Sequence, residues 1–278
     1  MEPLCYLNGK ILPISEACVN VCDVGLLRGF GIYEAQRTYD RKPFRMADHL
    51  ARFRKSAERM SLKIPASDAE IIAAIGEMIS RSITAGKEAV IRFILTGGRS
   101  ENGIEYNFET PTFYILVEEL NEMDPSCYEI GCSLIVYEQQ RQFPESKTTN
   151  YIQDVLLQAA RKKAGALEIL YVSNGNVLEA ATSNFFIVKN GVLITAKEGI
   201  LEGVTRKVVL ETARQNFSVE ERVMTVDEMY GADEAFITSS FREIVPVVKV
   251  GERVIGNGKV GETTKKLMQL FHEYTRNH

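Results

Sequence analysis

Histidine is scarce in this chain of 278 residues: only His49, His272 and His278 occur, two of them near the C-terminus. A Ser–His–Asp or Cys–His mechanism would have to run through His49 alone. Demanding chemistry, if the chain performs any, therefore points to a cofactor. Cysteine is limited to Cys5, Cys18, Cys22, Cys127 and Cys132, an odd set with no CxxC spacing. Cys18 and Cys22 could begin a metal site, yet no nearby histidine or second cysteine pair would complete one. The five read as reduced, mostly buried thiols. Basic charge is not in excess, since the formal net charge is −4, which argues against nucleic acid or an anionic membrane as partner. The opening "MEPLCYLNGKILPIS" has none of the charged, apolar and small-residue regions of a signal peptide. No apolar run approaches the ~20 residues needed to span a bilayer. A soluble, cytoplasmic protein is expected. Internal repeats and low-complexity segments are absent as well.

What is present is ordinary globular material, 45% hydrophobic and 25% charged, long enough for one large or two medium domains. Asn8-Gly9, Asn174-Gly175 and Asn190-Gly191 each stand between strand formers and read as hairpin turns. "MADHLARFRKSAERM" (46–60) reads as a helix with Leu50, Phe53, Ala57 and Met60 on one face and Asp48 as its cap. Residues 68–84 read as a second helix, followed by strands in "EAVIRFILTGG" and "PTFYILVEEL". The polar stretch "ELNEMDPSCY" reads as a linker. Strand "CSLIVYEQQR" comes next, and then a helix whose expected buried stripe is Ile152, Val155, Leu156, Ala159 and Ala160. A β-rich block, helix "VTRKVVLETARQN", strand "EAFITSS", a hairpin around Gly251 and a final helix complete the chain. The expected organisation is an N-terminal small α/β domain over 1–118, a linker over 119–130 and a C-terminal domain over 131–278. Hairpins dominate, so the fold class is α+β with mixed or antiparallel sheets and flanking helices rather than a doubly wound sheet.

Three features could carry chemistry. In "FPESKTTNYIQDV" Lys147 stands between a proline-bearing turn and a helix. It reads either as a solvated loop charge or as a lysine held at a pocket to form a Schiff base, for which it needs a partly dry setting and positive neighbours. In "NGNVLEAATSNFF" strand alternation puts Val177 and Glu179 on one face. Glu179 reads as a surface strand glutamate or as a buried carboxylate, which would need a cationic partner. Candidate anion donors form the third set. "ILEGVTRKVV" opens a helix at Gly203, Val204 and Thr205 with free amides. "ITSS" (237–240) offers hydroxyls at a strand end, and Arg52 lies just off the apolar stripe of its helix.

Five stretches in order, "RGFGIYE" (28–34), "HLARF" (49–53), "KTTNY" (147–151), "LEAATSNFF" (178–186) and "GVTR" (203–206), resemble class IV aminotransferases. These are the fold-type-IV pyridoxal-phosphate enzymes, among them D-amino acid transaminases, branched-chain aminotransferases and aminodeoxychorismate lyases. The resemblance covers nearly the whole chain. It implies two α/β domains with pyridoxal 5′-phosphate in the cleft between them, the C-terminal one binding the cofactor, and a homodimer whose partner completes each pocket. By the same resemblance Lys147 is the Schiff-base lysine and proton shuttle, and Glu179 keeps the pyridine nitrogen protonated. Arg52, the Val204 and Thr205 amides and Ser240 clamp the phosphate. Tyr33 lines the substrate pocket, and Tyr151 stands near the cofactor's O3′.

The spacing K-T-T-N-Y matches D-amino acid transaminases and aminodeoxychorismate lyases, whereas branched-chain enzymes usually carry one more residue before Asn-Tyr. "NGKVGETTKKL" (257–267) and "GIYEAQRTYDRKPF" also look like the D-specific group. One departure stands out: the loop "GGRSENGIEYNFE" lacks the histidine of the Arg-x-His pair that holds the substrate carboxylate in that group. Arg92, mid-strand among apolar residues, is expected to be buried and in need of an anion. Arg92 and Arg28 are the candidates to bind substrate, with structural ion pairs as the alternative; Arg99 and Arg242 are weaker ones. The expected reaction moves an amino group from a D-amino acid to a keto acid such as 2-oxoglutarate or pyruvate. L-branched-chain donors are the second reading and aminodeoxychorismate lysis the third.

Overall fold

The computed structural model describes residues 2–277; Met1 and His278 lie outside the described residues. The chain falls into two compact units. The first takes the chain up to Asn121 together with Ser146–Tyr151, and the second takes Glu122–Glu145 and the chain from Ile152 onward. The short segment bearing Lys147, expected in the C-terminal domain, thus belongs with the first unit. Backbone pairing is the reason. The Tyr33 N–H donates to the Lys147 carbonyl at 2.8 Å, and the Thr149 N–H donates to the Gly31 carbonyl at 2.9 Å. A Cβ on Gly31 would lie 2.9 Å from the Leu95 carbonyl oxygen and 3.2 Å from Thr149 Oγ1, so glycine makes room for this strap.

The first unit contains β1 (Leu4–Leu7), β2 (Lys10–Pro13), α1 (Val24–Arg28), β3 (Gly31–Tyr39), β4 (Lys42–Pro43), α2 (Met46–Arg59), α3 (Asp68–Ser82), β5 (Ala89–Thr96) and β6 (Thr112–Glu119). Its six strands form one antiparallel sheet in the order β2-β1-β6-β5-β3-β4. Asn8 and Gly9 turn the first hairpin with φ of 44° and 91°, as Asn-Gly pairs do. The stripe of α2 packs as expected, with Leu50, Phe53 and Ala57 buried against Phe93 and Phe113. Asp48 is not its cap. Arg45 occupies the cap position with φ 51°, and Asp48 sits in the first turn, ion-paired with Arg45, where an acid still favours the helix dipole. Ser67 caps α3 in a reciprocal box with Glu70. Alternation along β3 turns Ile32, Glu34, Gln36 and Thr38 to one face, and all four are buried.

The second unit contains α4 (Ser126–Glu129), β7 (Cys132–Glu138), α5 (Ile152–Leu156), α6 (Gln158–Lys163), β8 (Glu168–Ser173), β9 (Asn176–Ala180), β10 (Asn184–Lys189) and β11 (Val192–Thr195). It continues through α7 (Val204–Ala213), β12 (Ser218–Glu221), β13 (Met224–Thr225), α8 (Val226–Tyr230), β14 (Glu234–Ser239), β15 (Glu243–Val250), β16 (Arg253–Val254) and α9 (Glu262–Arg276). The sheet is mixed: β15–β7, β7–β8 and β11–β12 are parallel, the remaining pairs antiparallel. The path β10-β14-β15-β7-β8-β9 returns on itself through the pair Glu179↔Asn184, closing a ring of strands. The Asn-Gly hairpins at 174–175 and 190–191 form as expected, each Asn with φ 50°.

Two expectations fail in these elements. Ile152, Val155 and Leu156 are 69%, 68% and 68% exposed, and Ala159 and Ala160 are exposed too, so the anticipated buried stripe faces outward. The buried residue of α5 is Asp154, turned inward by the Tyr171 hydroxyl that donates to it at 2.6 Å. The cysteines are all unbridged, but only Cys5 is buried, and Cys18 and Cys22 are exposed because the stretch preceding α1 is a surface loop. No helix among the described residues is long and apolar enough to cross a membrane.

Candidate active site

In the first unit the strap lays Lys147 beside β3. Its Nζ lies 4.3 Å from the centre of the Tyr33 ring, and its backbone N–H donates to Ser56 Oγ at 3.2 Å. Lys147 is therefore half-buried against an aromatic face rather than a solvated loop charge. The Tyr33 and Tyr151 hydroxyls are 2.6 Å apart and share a hydrogen bond. On the helix side of β3 the Glu34 carboxylate accepts from Arg52 Nη2 at 2.6 Å and Nε at 2.9 Å. It also accepts from His49 Nδ1 at 3.0 Å and from the Ala35 N–H at 2.7 Å. A carboxylate can only accept, so Nδ1 carries the imidazole proton. Burial pushes Glu34 upward, but the charges and hydrogen bonds of Arg52 and His49 hold it well below the usual carboxylate range. Burial is also the main cause that lowers His49, with Arg52 and Lys147 adding to it against the pull of Glu34. Arg52 is raised: burial alone would lower it, and Glu34 more than compensates. The result is a fixed Glu34–Arg52 fork with a neutral histidine behind it.

In the second unit Glu179 is buried as the strand alternation allows. Its Oε2 accepts from the Leu201 N–H at 3.0 Å and from Asn184 Nδ2 at 3.2 Å, and its Oε1 lies 3.6 Å from Arg141 Nε. The surface-glutamate alternative is excluded, and the cation that burial demands includes Arg141. Gly203 is the cap residue of α7 and supplies no side-chain cap, so the amides of Val204 and Thr205 are donors available to an anion. A Cβ on Gly203 would come within 2.0 Å of Asn184 Oδ1. Glycine is therefore required where the start of α7 passes the residue that also holds Glu179. Ser240 stands in the turn between β14 and β15, partly exposed.

The arginines expected near substrate divide. Arg92 is not buried: alternation on β5 turns it away from the core, 38% exposed and ion-paired with Glu118 on β6. Arg242 belongs to another cluster, donating to Glu168 at 2.6 Å and Thr182 Oγ1 at 2.6 Å. Arg28, last residue of α1, is exposed. It donates to the Leu27 carbonyl at 2.9 Å, and no carboxylate among the described residues pairs with it. Among the described residues no cluster of histidine, cysteine and acidic side chains could hold a metal ion.

The sequence profile of the family described as amino-transferase class IV matches residues 31–250. The chain belongs to the class IV aminotransferases. This aminotransferase is 36% identical over 278 residues to a Methanocaldococcus jannaschii protein provisionally named a branched-chain-amino-acid aminotransferase, covering 96% of this chain and 95% of the relative. It is 30% identical over 270 residues to the D-alanine aminotransferase of Bacillus licheniformis, covering 94% and 93%. Among solved structures, the T.th. branched-chain amino acid aminotransferase with pyridoxamine 5′-phosphate superposes with a TM-score of 0.89 at 27% identity, covering 99% of this chain and 94% of that one. The α+β class and fold type IV are those of such neighbours.

Sequence reasoning missed several residues of this aminotransferase's clusters. Glu34 and His49 lie inside motifs that were legible, but nothing in one sequence pairs residues on separate elements. Arg141 closes a strand-like run without any local mark. Asp154 was hidden by the apolar residues around it; an acid inside an apolar stripe was the one available signal.

Proposed function

We infer that this class IV aminotransferase moves an amino group from a D-amino acid to a 2-oxo acid such as 2-oxoglutarate or pyruvate. Its cofactor is pyridoxal phosphate, as in the family it belongs to. The residues present fit that group: a buried, amide-held carboxylate, a helix start without a side-chain cap, and a lysine backed by an aromatic ring. When bound, pyridoxal phosphate supplies an electron sink for the bonds at an amino acid's Cα. Lys147 Nζ would hold the cofactor through its aldehyde and would carry the proton taken from and returned to the substrate carbon. Glu179 would accept the hydrogen bond of a protonated ring nitrogen. Arg52, oriented by Glu34, would be one holder of the phosphate and the Val204 and Thr205 amides with Ser240 the others, while Tyr151 would hydrogen-bond the ring oxygen. Tyr33 lines the substrate side and, through its hydroxyl, holds Tyr151.

The observation that carries the donor assignment is the K-T-T-N-Y spacing of residues 147–151; Arg28, exposed and without a carboxylate partner among the described residues, is suited to bidentate capture of a substrate carboxylate of either hand. Arg92, shared with Glu118, is the auxiliary candidate. The branched-chain reading is supported by the 36% identity to the Methanocaldococcus jannaschii relative. We place the enzyme in the cytoplasm, where five unbridged cysteines suit reducing conditions. It acts as a homodimer, a reading supported by the apolar Ile152, Val155 and Leu156 standing exposed together on α5; sedimentation of the holoenzyme as a monomer would refute it. The donor is tested by the visible absorbance of the holoenzyme after separate additions of D-glutamate and L-leucine. Bleaching by the D-amino acid alone supports the proposal, and bleaching by L-leucine alone replaces it with the branched-chain reading. A protein that bleaches with neither and releases pyruvate from aminodeoxychorismate is a lyase.

A further inference from the structure

The second unit holds a chain of charges behind Glu179 that the aminotransferase reaction, as assigned above, does not use. Arg141 lies 3.6 Å from Glu179 Oε1 on one side and 3.6 Å from Asp154 Oδ1 on the other. Its Nη2 donates to the Ala181 carbonyl at 2.6 Å, and its guanidinium carbon lies 5.4 Å from the centre of the Tyr171 ring. Tyr171, itself buried, donates its hydroxyl to Asp154 at 2.6 Å. The order is carboxylate, guanidinium, carboxylate, phenol, and every member is largely removed from water.

The helix that presents Asp154 is oriented against its own hydrophobic pattern. Ile152, Val155 and Leu156 are exposed while Asp154 is 6% exposed. The contacts of Asp154 rather than apolar burial within this unit therefore set which side of α5 faces inward. We propose that Asp154 and Arg141 are positioning residues that set, through Glu179, how tightly the ring nitrogen of the cofactor holds its proton. This rests on the assignment of Glu179 to that nitrogen.

The charge count gives the reason. Glu179 and Arg141 alone form a neutral pair, and a protonated ring nitrogen beside Glu179 would meet a guanidinium with nothing to offset it. Asp154 adds a second negative charge, so Glu179, Arg141 and Asp154 together carry one net negative charge to match one ring N–H⁺, the nearby Glu168 being balanced by Arg242. The groups facing Asp154 are Tyr171 and Glu168 from β8 and Arg141 from the segment after β7, with Glu179 of β9 facing Arg141 in turn. Burial pushes Asp154 up, while the Tyr171 hydrogen bond and the Arg141 charge draw it back toward the ionised form. A purely structural ion pair would need Asp154 and Arg141 to match each other and nothing more. The charge-balance role needs the sum over all three groups to be right.

That difference is testable in holoenzyme reconstituted with pyridoxal phosphate isotopically labelled at the ring nitrogen, whose chemical shift is followed by NMR against pH. Asp154→Asn lowers the pH at which the ring nitrogen loses its proton by about one unit, a roughly tenfold loss of proton affinity. The double variant Arg141→Met/Asp154→Asn restores the net charge and recovers most of that loss; Asp154→Glu, which keeps the carboxylate, stays near the parent. Tyr171→Phe, a milder change should Asp154→Asn fail to fold, moves the titration the same way by less. An Asp154→Asn protein that titrates like the parent, or a double variant worse than the single one, overturns the proposal. Glu179→Gln separates the two levels. If it moves the signal and Asp154→Asn does not, the charge array is wrong and the Glu179 assignment stands; if Glu179→Gln moves nothing, the assignment falls and the proposal with it.

Discussion

Glu34→Gln is the perturbation that most sharply tests the first-unit cluster. The side chain keeps its shape and loses its charge. In the parent the carboxylate accepts from Arg52 Nη2 at 2.6 Å and Nε at 2.9 Å, from His49 Nδ1 at 3.0 Å and from the Ala35 N–H at 2.7 Å. A glutamine has one acceptor oxygen and an NH₂ that must face one of these donors, so at least one hydrogen bond becomes a clash of donors. The Arg52 guanidinium, 11% exposed, is then left buried beside a neutral group. Removing one partner of a buried ion pair typically costs about 3–5 kcal/mol. With a urea slope of about 1–3 kcal/mol per M, the unfolding midpoint should fall by about 2 M. Glu77→Gln on α3, which breaks the half-exposed Arg81 pair, is the control, expected to lose about 0.3–0.5 kcal/mol. If the two variants unfold at similar urea concentrations, the Glu34 fork does not hold this unit together and the electrostatic reasoning is wrong. Affinity for pyridoxal phosphate, titrated into apoenzyme, should fall in Glu34→Gln as well, because Arg52 loses the partner that aims it.

Three further outcomes are expected. Gly203→Ala would drive its Cβ into Asn184 Oδ1, displacing a donor to Glu179; overpacking of this kind typically costs about 1–3 kcal/mol, and cofactor affinity should fall with the melting temperature. Glu234→Ala removes the carboxylate that accepts from the Thr263 and Thr264 amides at the start of α9, for a loss of about 1–2 kcal/mol in denaturant unfolding. Because Glu34 is held below its ordinary range in the folded state, the unfolded chain binds more protons as pH falls below about 5. Its contribution is therefore complete near neutrality and is lost on acidification, and Glu34→Gln should show a shallower decline of the urea midpoint over that window.

The parts of the fold that could be read in the sequence were those set by neighbours along the chain. Asn-Gly pairs at 8–9, 174–175 and 190–191 specify their hairpins because few other residues accept positive φ. The α2 stripe of Leu50, Phe53 and Ala57 packs as its period requires. The α5 stripe failed for the opposite reason: the same period was present, but long-range partners of Asp154 decided which side faces inward. Arg92 failed by face. An arginine between Ile91 and Phe93 looks surrounded, yet in a strand its neighbours in sequence point the other way. The motif residues of the candidate site stood in plain view, whereas the Glu34–His49 pairing arises from packing α2 on β3 and the contacts of Arg141 from a loop folded back on β9 and α5, neither of which is local in sequence.

The strap at Ser146–Tyr151 has a consequence for dissecting the molecule. The chain passes between its two compact units at three points, after Asn121, Glu145 and Tyr151, so no single cut yields two complete pieces. A fragment ending at Asn121 would carry Tyr33, Glu34 and Arg52 but neither Lys147 nor the bonds that the strap gives to Gly31 and Tyr33. The complementary fragment would carry Lys147 without the strand and ring that hold it. Lys147 and the strand and ring that hold it are thus separated in the gene and joined only in the folded chain. Circular permutation or domain exchange in this protein has to move the strap with the first unit, against the order in which the ribosome delivers it.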